Sequence, residues 1–204
     1  MLVIAVTGSM GAGKSSAAAR LAERHDAVVL DLDAMARGLV TGPGPVHDRV
    51  VEAFGPGVLG ADGEVDTTRL ASAAFADAES CSRLNAIVHP AVTRAVEGAL
   101  DDLALRAVPP TAVVIDVPLL VEVPELRRLA DLVVTVEAPP DARLGRLRDR
   151  GVDEADAFRR TSLQSTPDQR AAIADVVIVN DGDPADLAAA VDTFWDREVS
   201  PRVA

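Results

Sequence analysis

The chain has 204 residues, of which 49% are hydrophobic and 25% are charged, and its formal net charge is −12. This composition is typical of one packed domain, and the acidity argues against a protein that neutralises a nucleic-acid backbone. The single cysteine, Cys81, excludes an intrachain disulfide and predicts a free thiol in a reducing compartment. Because no apolar run reaches about 20 residues and the first one lacks a basic leader, we expect a soluble cytoplasmic protein with no membrane partner.

Short Val-rich runs recur along the chain and predict buried strands. They lack strict polar–apolar alternation, which is typical of parallel strands covered by helices on both faces. Segments with apolar residues at helical spacing lie between them, so we predict an α/β, doubly wound parallel sheet in three layers. The five predicted strands are 3–7, Ala27–Leu30, Ala112–Val117, Leu132–Val136 and Val176–Val179. The predicted helices are Ser15–Arg24, Asp141–Arg150, Asp153–Leu163 and Pro184–Trp195.

The interval from about Ala34 to Leu105 follows a different pattern. It contains no convincing strand, and Gly-Pro turn clusters at 42–45 and 55–57 separate helical pieces. The simplest account is a helical insertion between the second and third strands. At the other end of the chain, Ser200–Ala204 is expected to fray.

Residues 8–15 read Gly-Ser-Met-Gly-Ala-Gly-Lys-Ser and match G-x-x-x-x-G-K-[ST] between a strand and a helix. The glycines let several backbone N–H groups converge on an anion, and the helix adds its positive dipole end. We expect Lys14 to contact the β and γ phosphates, Ser15 to offer a hydroxyl to Mg²⁺, and Ser16 to lie nearby. Lys14 is the only lysine in the chain, and a compact ammonium suits a narrow loop better than a planar guanidinium. The sequence therefore predicts binding of a nucleoside triphosphate with Mg²⁺.

Acidic residues follow two of the predicted strands. Asp31 and Asp33 come after the second strand, where the carboxyl ends of parallel strands line a ligand crevice. One of them can take a hydroxyl proton or position hydrated Mg²⁺, while the other caps the next helix, and we favour Asp33 as the base. Asp116 closes the third strand and predicts a water-mediated contact with Mg²⁺. Glu122, further along, fits a functional carboxylate and an exposed helix charge equally well.

An ordered set of motifs extends over residues 2–195. It runs TGSMGAGKSS, DLDAMAR, FGPGVLGADGEVDTTRLA, IVHPAV, DVPLLVE, RLRDRG, Gln164 to Arg170, and ADVVIVNDG. With this set the chain resembles the dephospho-coenzyme A kinase family. The resemblance implies that the γ-phosphoryl group of ATP is transferred to the ribose 3′-hydroxyl of dephospho-CoA, the last step of coenzyme A synthesis. It also implies a P-loop kinase fold with a core (1–33, 108–140 and 171–204), a helical substrate-binding insert (34–107) and a lid (141–170).

The resemblance further implies which residues handle the donor nucleotide and the chemistry. Asp33 would act as base, Lys14 would act on the phosphates, and Arg146 on the lid would stabilise charge on the transferring phosphoryl group. Arg143 and Arg148, on the same predicted helix, are expected to lie on a solvated face. The nucleotide contacts would be Gly8, Gly11, Ala12, Gly13, Lys14, Ser15, Ser16, Arg150 and, beside the adenine, Asn180.

Acceptor and metal contacts are implied in the same way. His89 belongs to a His-Pro pair near the acceptor, although a lone histidine is more often structural. Gln164 and Arg170 are candidate lid or substrate contacts. The implied acceptor contacts are Asp33, His89, Leu119 and Glu122, and the implied Mg²⁺ contacts are Ser15 and, through water, Asp116.

Other functions fit the sequence less well. A different small-molecule P-loop kinase, for a nucleoside monophosphate or a small alcohol, would share the helical insert and the arginine-rich lid. A GTP-binding switch is excluded because its N-K-x-D motif needs a lysine besides Lys14. The charge and size also disfavour a nucleic-acid motor. For the oligomeric state we expect a monomer or a weak homo-oligomer.

Overall fold

The computed structural model describes residues 1–162 and 164–203, and its centre is a five-stranded sheet with the strand order β2-β3-β1-β4-β5. The β1–β3, β1–β4 and β4–β5 pairs are parallel. The predicted doubly wound α/β sheet is therefore confirmed, and each predicted strand is correct to within one residue at either end. The strands are β1 Leu2–Thr7, β2 Val28–Asp31, β3 Ala112–Asp116, β4 Leu132–Glu137 and β5 Val176–Val179.

The centre of the sheet is hydrophobic on both faces because its strands consist of β-branched residues covered by helices. Ile4 of β1 lies in register with Val114 of β3 and Leu132 of β4, and all three are at most 3% exposed. The chain leaves β1 for strands on one side and returns to β4 on its other side. Such a reversal opens a crevice at the carboxyl ends of the strands, so the loop after β1 lies where ligands bind in this fold.

Helices surround the sheet and form most of the remaining chain, and none in the described residues is long and apolar enough to cross a membrane. They are α1 Lys14–His25, α2 Leu32–Thr41, α3 Pro45–Phe54, α4 Thr67–Ala74, α5 Ala78–Ala104, α6 Pro124–Arg127, α7 Pro140–Asp149, α8 Glu154–Ser162, α9 Pro167–Ile173, α10 Pro184–Phe194 and α11 Ser200–Val203, with a 3-10 turn at Pro56–Val58 and a π-helical turn at Trp195–Val199. Leu163, the predicted end of the helix after Asp153, lies outside the described residues.

The chain forms two compact units, residues 1–30 with 102–204 and residues 31–101. In the first unit, Asp183 caps α10 through a capping box and Pro184 occupies its first turn, as predicted. The expectation that the chain frays from Ser200 is wrong, because α11 continues the terminal helix. Val199 is fully buried and Val203 packs against the same core, so hydrophobic burial holds this end in place.

The second unit is helical, as expected for the interval after β2. Helices α2 to α5 enclose a core of their own that includes Val50, Val58, Leu70 and Ile87. Among the described residues, the β contact recorded within this unit is a single antiparallel bridge between Leu59 and Val65. The division into insert and lid at 34–107 and 141–170 stays a prediction.

Candidate active site

The phosphate-loop motif connects the end of β1 to the start of α1 and requires glycine at defined positions. Gly8 and Gly13 have φ values of 145° and 107°, which side-chain-bearing residues rarely adopt. A Cβ at Gly8 would lie 2.2 Å from the Val136 carbonyl oxygen, and one at Gly13 would lie 2.4 Å from Asn180 Nδ2. Gly13 is also the N-cap of α1 and has no side chain to satisfy the first N–H groups of that helix. Those N–H groups therefore suit an anionic ligand.

Lys14 is the first residue of α1, and its ammonium lies beside the loop. Nζ donates to the carbonyl oxygen of Ser9 at 3.4 Å, and the side chain is half-buried. A cation held there raises the affinity of the loop for phosphate. Ser16, the next predicted hydroxyl after Ser15, is exposed on the first turn of α1.

A hydroxyl and a carboxylate meet at the carboxyl edge of the sheet. Ser15 Oγ donates to Asp116 Oδ2 at 2.8 Å, and Asp116, the last residue of β3, is 8% exposed. Hard oxygen ligands of this kind suit Mg²⁺, which typically uses one or two protein oxygens together with phosphates and water. No cluster of three or more His, Cys, Asp or Glu side chains in the described residues could hold a metal by itself. The site thus fits a magnesium ion that arrives with a nucleotide.

Asn180 and Arg146 support the phosphate loop from outside. Asn180 is buried after β5, and its Nδ2 donates to the Ala12 carbonyl at 2.7 Å. Arg146 donates to the backbone and side-chain oxygens of Asn180, both at 3.1 Å, and to the carbonyls of Gly11 and Ala12 at 3.4 and 3.5 Å. Both predicted residues therefore lie at the loop. The predicted contact of Asn180 with adenine and the predicted charge stabilisation by Arg146 stay predictions.

The segment that begins at Gln164 is attached to the phosphate loop. Gln164 Oε1 accepts a hydrogen bond from the backbone N–H of Met10 at 3.1 Å. The N–H of Ser165 donates to Glu122 Oε1 at 2.7 Å. Glu122, a predicted acceptor contact, therefore holds this segment in place, while Leu119 is half-buried in the same connection after β3.

A buried ion pair lies next to this attachment and was missed by sequence reasoning. Arg170 is 1% exposed, and its Nε and NH2 donate to the two carboxylate oxygens of Glu137 at 2.6 and 2.7 Å. Thr135 Oγ1 donates to Glu137 Oε1 at 2.7 Å. Glu137 closes the Val-rich strand β4 just as Asp116 closes β3. That position was the sequence signal that could have identified it.

Arg143 corrects one expectation about helix α7. It was predicted on a solvated face, but its Nε is buried, and no acceptor within residues 1–162 and 164–203 lies in hydrogen-bond reach. Burial lowers the pKa of Arg143 and the nearby Arg170 cation lowers it further, whereas Glu137 raises it. Arg148 does lie on the solvent face, where it pairs with Glu154 at 2.8 Å. The prediction is therefore wrong for Arg143 and confirmed for Arg148.

The remaining predicted residues are placed singly. Asp31 Oδ1 accepts from the Ala34 N–H at 2.9 Å and caps α2, while Asp33 is exposed in the first turn of that helix. The two carboxylates after β2 thus divide as expected, with one of them structural. His89 is half-buried on α5 and Arg150 is exposed at the end of α7. Asp33 and His89 belong to unit 31–101, and their roles stay predictions.

Comparison with known proteins gives one consistent answer. A sequence model of the family described as dephospho-CoA kinase matches residues 2–186. The dephospho-CoA kinase of Streptomyces avermitilis is 44% identical over 96% of this chain and 93% of its own. That of Thermobifida fusca is 40% identical over 97% and 96%. The solved dephospho-CoA kinase of Campylobacter jejuni covers 98% of both chains with a TM-score of 0.71; at 18% identity it shows the fold alone.

Proposed function

The chain belongs to the dephospho-CoA kinase family, and we propose that it performs this family's reaction with the residues described above. It phosphorylates dephospho-CoA with ATP, in coenzyme A biosynthesis. The γ-phosphoryl group passes to the ribose 3′-hydroxyl. The observation that carries this proposal is the glycine loop after β1, with Lys14 beside it and with Ser15 paired to Asp116.

The donor nucleotide binds through its phosphates. Backbone N–H groups of Gly11 to Ser16 surround the phosphates at the positive end of α1, and Lys14 adds a full charge. Arg146 and Asn180 keep the loop in shape, since both bind its carbonyls. Arg150 and Asn180 complete the nucleotide contacts. Because the loop is supported on two sides, little backbone reorganisation is needed when ATP binds.

Magnesium fits the Ser15–Asp116 pair. Ser15 would bind the ion directly, and Asp116 would hold it through water. When bound, Mg²⁺ neutralises charge on the β and γ phosphates. Asp116 also accepts the Ser15 hydroxyl proton in a hydrogen bond of 2.8 Å, which turns the oxygen lone pairs of Ser15 towards a cation.

The acceptor hydroxyl is handled by residues of the other unit and of the connection after β3. Asp33 accepts the hydroxyl proton as the oxygen attacks, a role that its exposed position in the first turn of α2 permits. Arg146 stabilises charge on the transferring group. His89, Leu119 and Glu122 contact the acceptor. Asp31 leaves this role to Asp33 because it is engaged as the helix cap.

The alternative, another small-molecule P-loop kinase, has no support in the comparisons, because both relatives named above are dephospho-CoA kinases. A turnover panel tests the assignment: purified protein, ATP and Mg²⁺ with dephospho-CoA, adenosine 5′-phosphate or shikimate as acceptor. We expect ADP formation with dephospho-CoA. Turnover of either other acceptor with none of dephospho-CoA would overturn the proposal. We also propose that the enzyme works in the cytoplasm as a monomer or weak homo-oligomer, which sedimentation at several concentrations tests.

A further inference from the structure

Unit 31–101 carries an open groove of about 220 Å³ between α2, α4 and α5. Its walls are mainly apolar and include Val40, Leu70, Leu84 and Val88. At its rim lies Phe75, a large apolar side chain that is 61% exposed. An exposed aromatic next to an apolar depression favours a ligand with an apolar part.

The groove continues a stripe that starts at the candidate base. Asp33, Arg37 and Val40 are spaced i, i+4 and i+7 on α2 and therefore share one face of that helix. Arg37 and Val40 both line the groove. Along this face the chemistry changes from a carboxylate to a cation to an apolar surface, with about 5.4 Å per helical turn.

Arg37 supplies a charge that the fold itself does not use. Its side chain is exposed, and no carboxylate in the described ranges, 1–162 and 164–203, forms an ion pair with it. In a chain of net charge −12, an unpaired arginine at the mouth of an apolar groove is suited to an anionic group that continues into an apolar chain. Arginine binds phosphate oxygens through two parallel N–H donors.

We propose that this stripe is the subsite that selects the pantetheine end of the acceptor, with Arg37 on its diphosphate and the groove around its arm. The inference rests on the proposed function. In dephospho-CoA the ribose carries the reacting 3′-hydroxyl and, from its 5′ carbon, a diphosphate that leads into the pantetheine arm. A hydroxyl at Asp33 puts the diphosphate about one turn further along α2, at Arg37. The arm, with its dimethyl and methylene groups, then enters the groove past Phe75.

Two fragments of the acceptor separate the parts of the subsite. Pantetheine is the arm without phosphate, and 4′-phosphopantetheine is the arm with one phosphate. Calorimetric titration of each fragment into the full chain measures binding without any need for turnover. Phe75→Ser should weaken both fragments about tenfold, since apolar contact with the arm is lost. Arg37→Gln should weaken only 4′-phosphopantetheine, again about tenfold, and Arg37→Lys should recover part of the loss.

Matched controls come from the same chain. Arg49→Gln removes an exposed arginine of α3 that does not line the groove, and Phe158→Ser removes a phenylalanine that is 74% exposed in the other unit. Neither should change fragment binding. Thermal unfolding of every variant checks that Phe75→Ser, at an exposed rim position, keeps the fold.

The outcomes separate this inference from the proposed function. Equal affinity of Phe75→Ser and of wild type for both fragments would overturn the groove assignment. Equal loss of both fragments in Arg37→Gln would overturn the diphosphate assignment. Each result can occur while wild type turns over dephospho-CoA normally. If turnover is absent but the fragment pattern is as expected, the proposed function fails and the subsite stands as a phosphopantetheine site.

Discussion

Ser15 Oγ and Asp116 Oδ2 lie 2.8 Å apart, although 101 residues separate them in the chain. The contact forms because β3 pairs with β1, with Asp116 in register with Val6, so the end of β3 lies next to the loop after β1. A carboxylate that accepts from the Ser15 hydroxyl orients that oxygen before any ligand arrives. The magnesium contact predicted from two separate motifs therefore corresponds to one pair of touching side chains.

Replacing Asp116 should weaken the response to magnesium more than the binding of nucleotide. We expect Asp116→Asn to raise the Mg²⁺ concentration for half-maximal turnover by about 10- to 100-fold, the usual effect of losing a residue that orients a metal ligand. Titration of activity with Mg²⁺ at saturating ATP measures this. Metal-free ATP binding should change little. An unchanged Mg²⁺ profile would remove Asp116 from the metal site.

The ammonium of Lys14 should be needed both for binding and for turnover. Lys14→Ala should lower kcat/KM for ATP by about 10²- to 10³-fold, because a preorganised charge at the phosphates is lost. Lys14→Arg should not restore activity, since the planar guanidinium needs more room than the loop offers. Steady-state kinetics of both variants check the expectation. Full activity of Lys14→Arg would show that charge alone, rather than shape, is required.

The two carboxylates after β2 should separate cleanly. Asp33→Asn should reduce kcat by about 10²- to 10⁴-fold, the range for loss of a general base, and leave ATP affinity almost unchanged. Asp31→Ala is the matched comparison: it removes a helix cap and should lower the free energy of unfolding by about 1 kcal/mol. Kinetics and urea denaturation on both variants test this. A normal kcat for Asp33→Asn would eliminate Asp33 as the base.

The Glu137–Arg170 pair should be costly to break on one side only. Glu137→Gln leaves the Arg170 guanidinium, 1% exposed, without its countercharge. The free energy of unfolding should fall by about 3 to 5 kcal/mol. The double variant Glu137→Leu with Arg170→Met should recover most of that loss, because no buried charge remains. Chemical denaturation of the single and double variants decides the matter; additive losses would mean that the two residues act independently.

Much of this protein follows from local sequence. Val-rich runs predicted all five strands, and Asp183-Pro184 predicted the start of α10, because strand burial and helix capping depend on neighbours along the chain. The phosphate loop was equally legible. Its glycines require backbone angles and close approaches that other residues cannot adopt.

Residue partners across the sheet were decided only by the tertiary structure. Glu137 meets Arg170, Gln164 meets Met10, and the Nε of Arg143 is buried rather than solvated. The sequence placed Arg143 and Arg148 on one helix and could not distinguish them. Which side of α7 faces the phosphate loop and which faces water depends on how the helix packs, and packing is set by residues more than a hundred positions away. Local sequence therefore determined the elements and the phosphate loop, whereas the partners of each charged side chain depended on which strand ends the fold brought together.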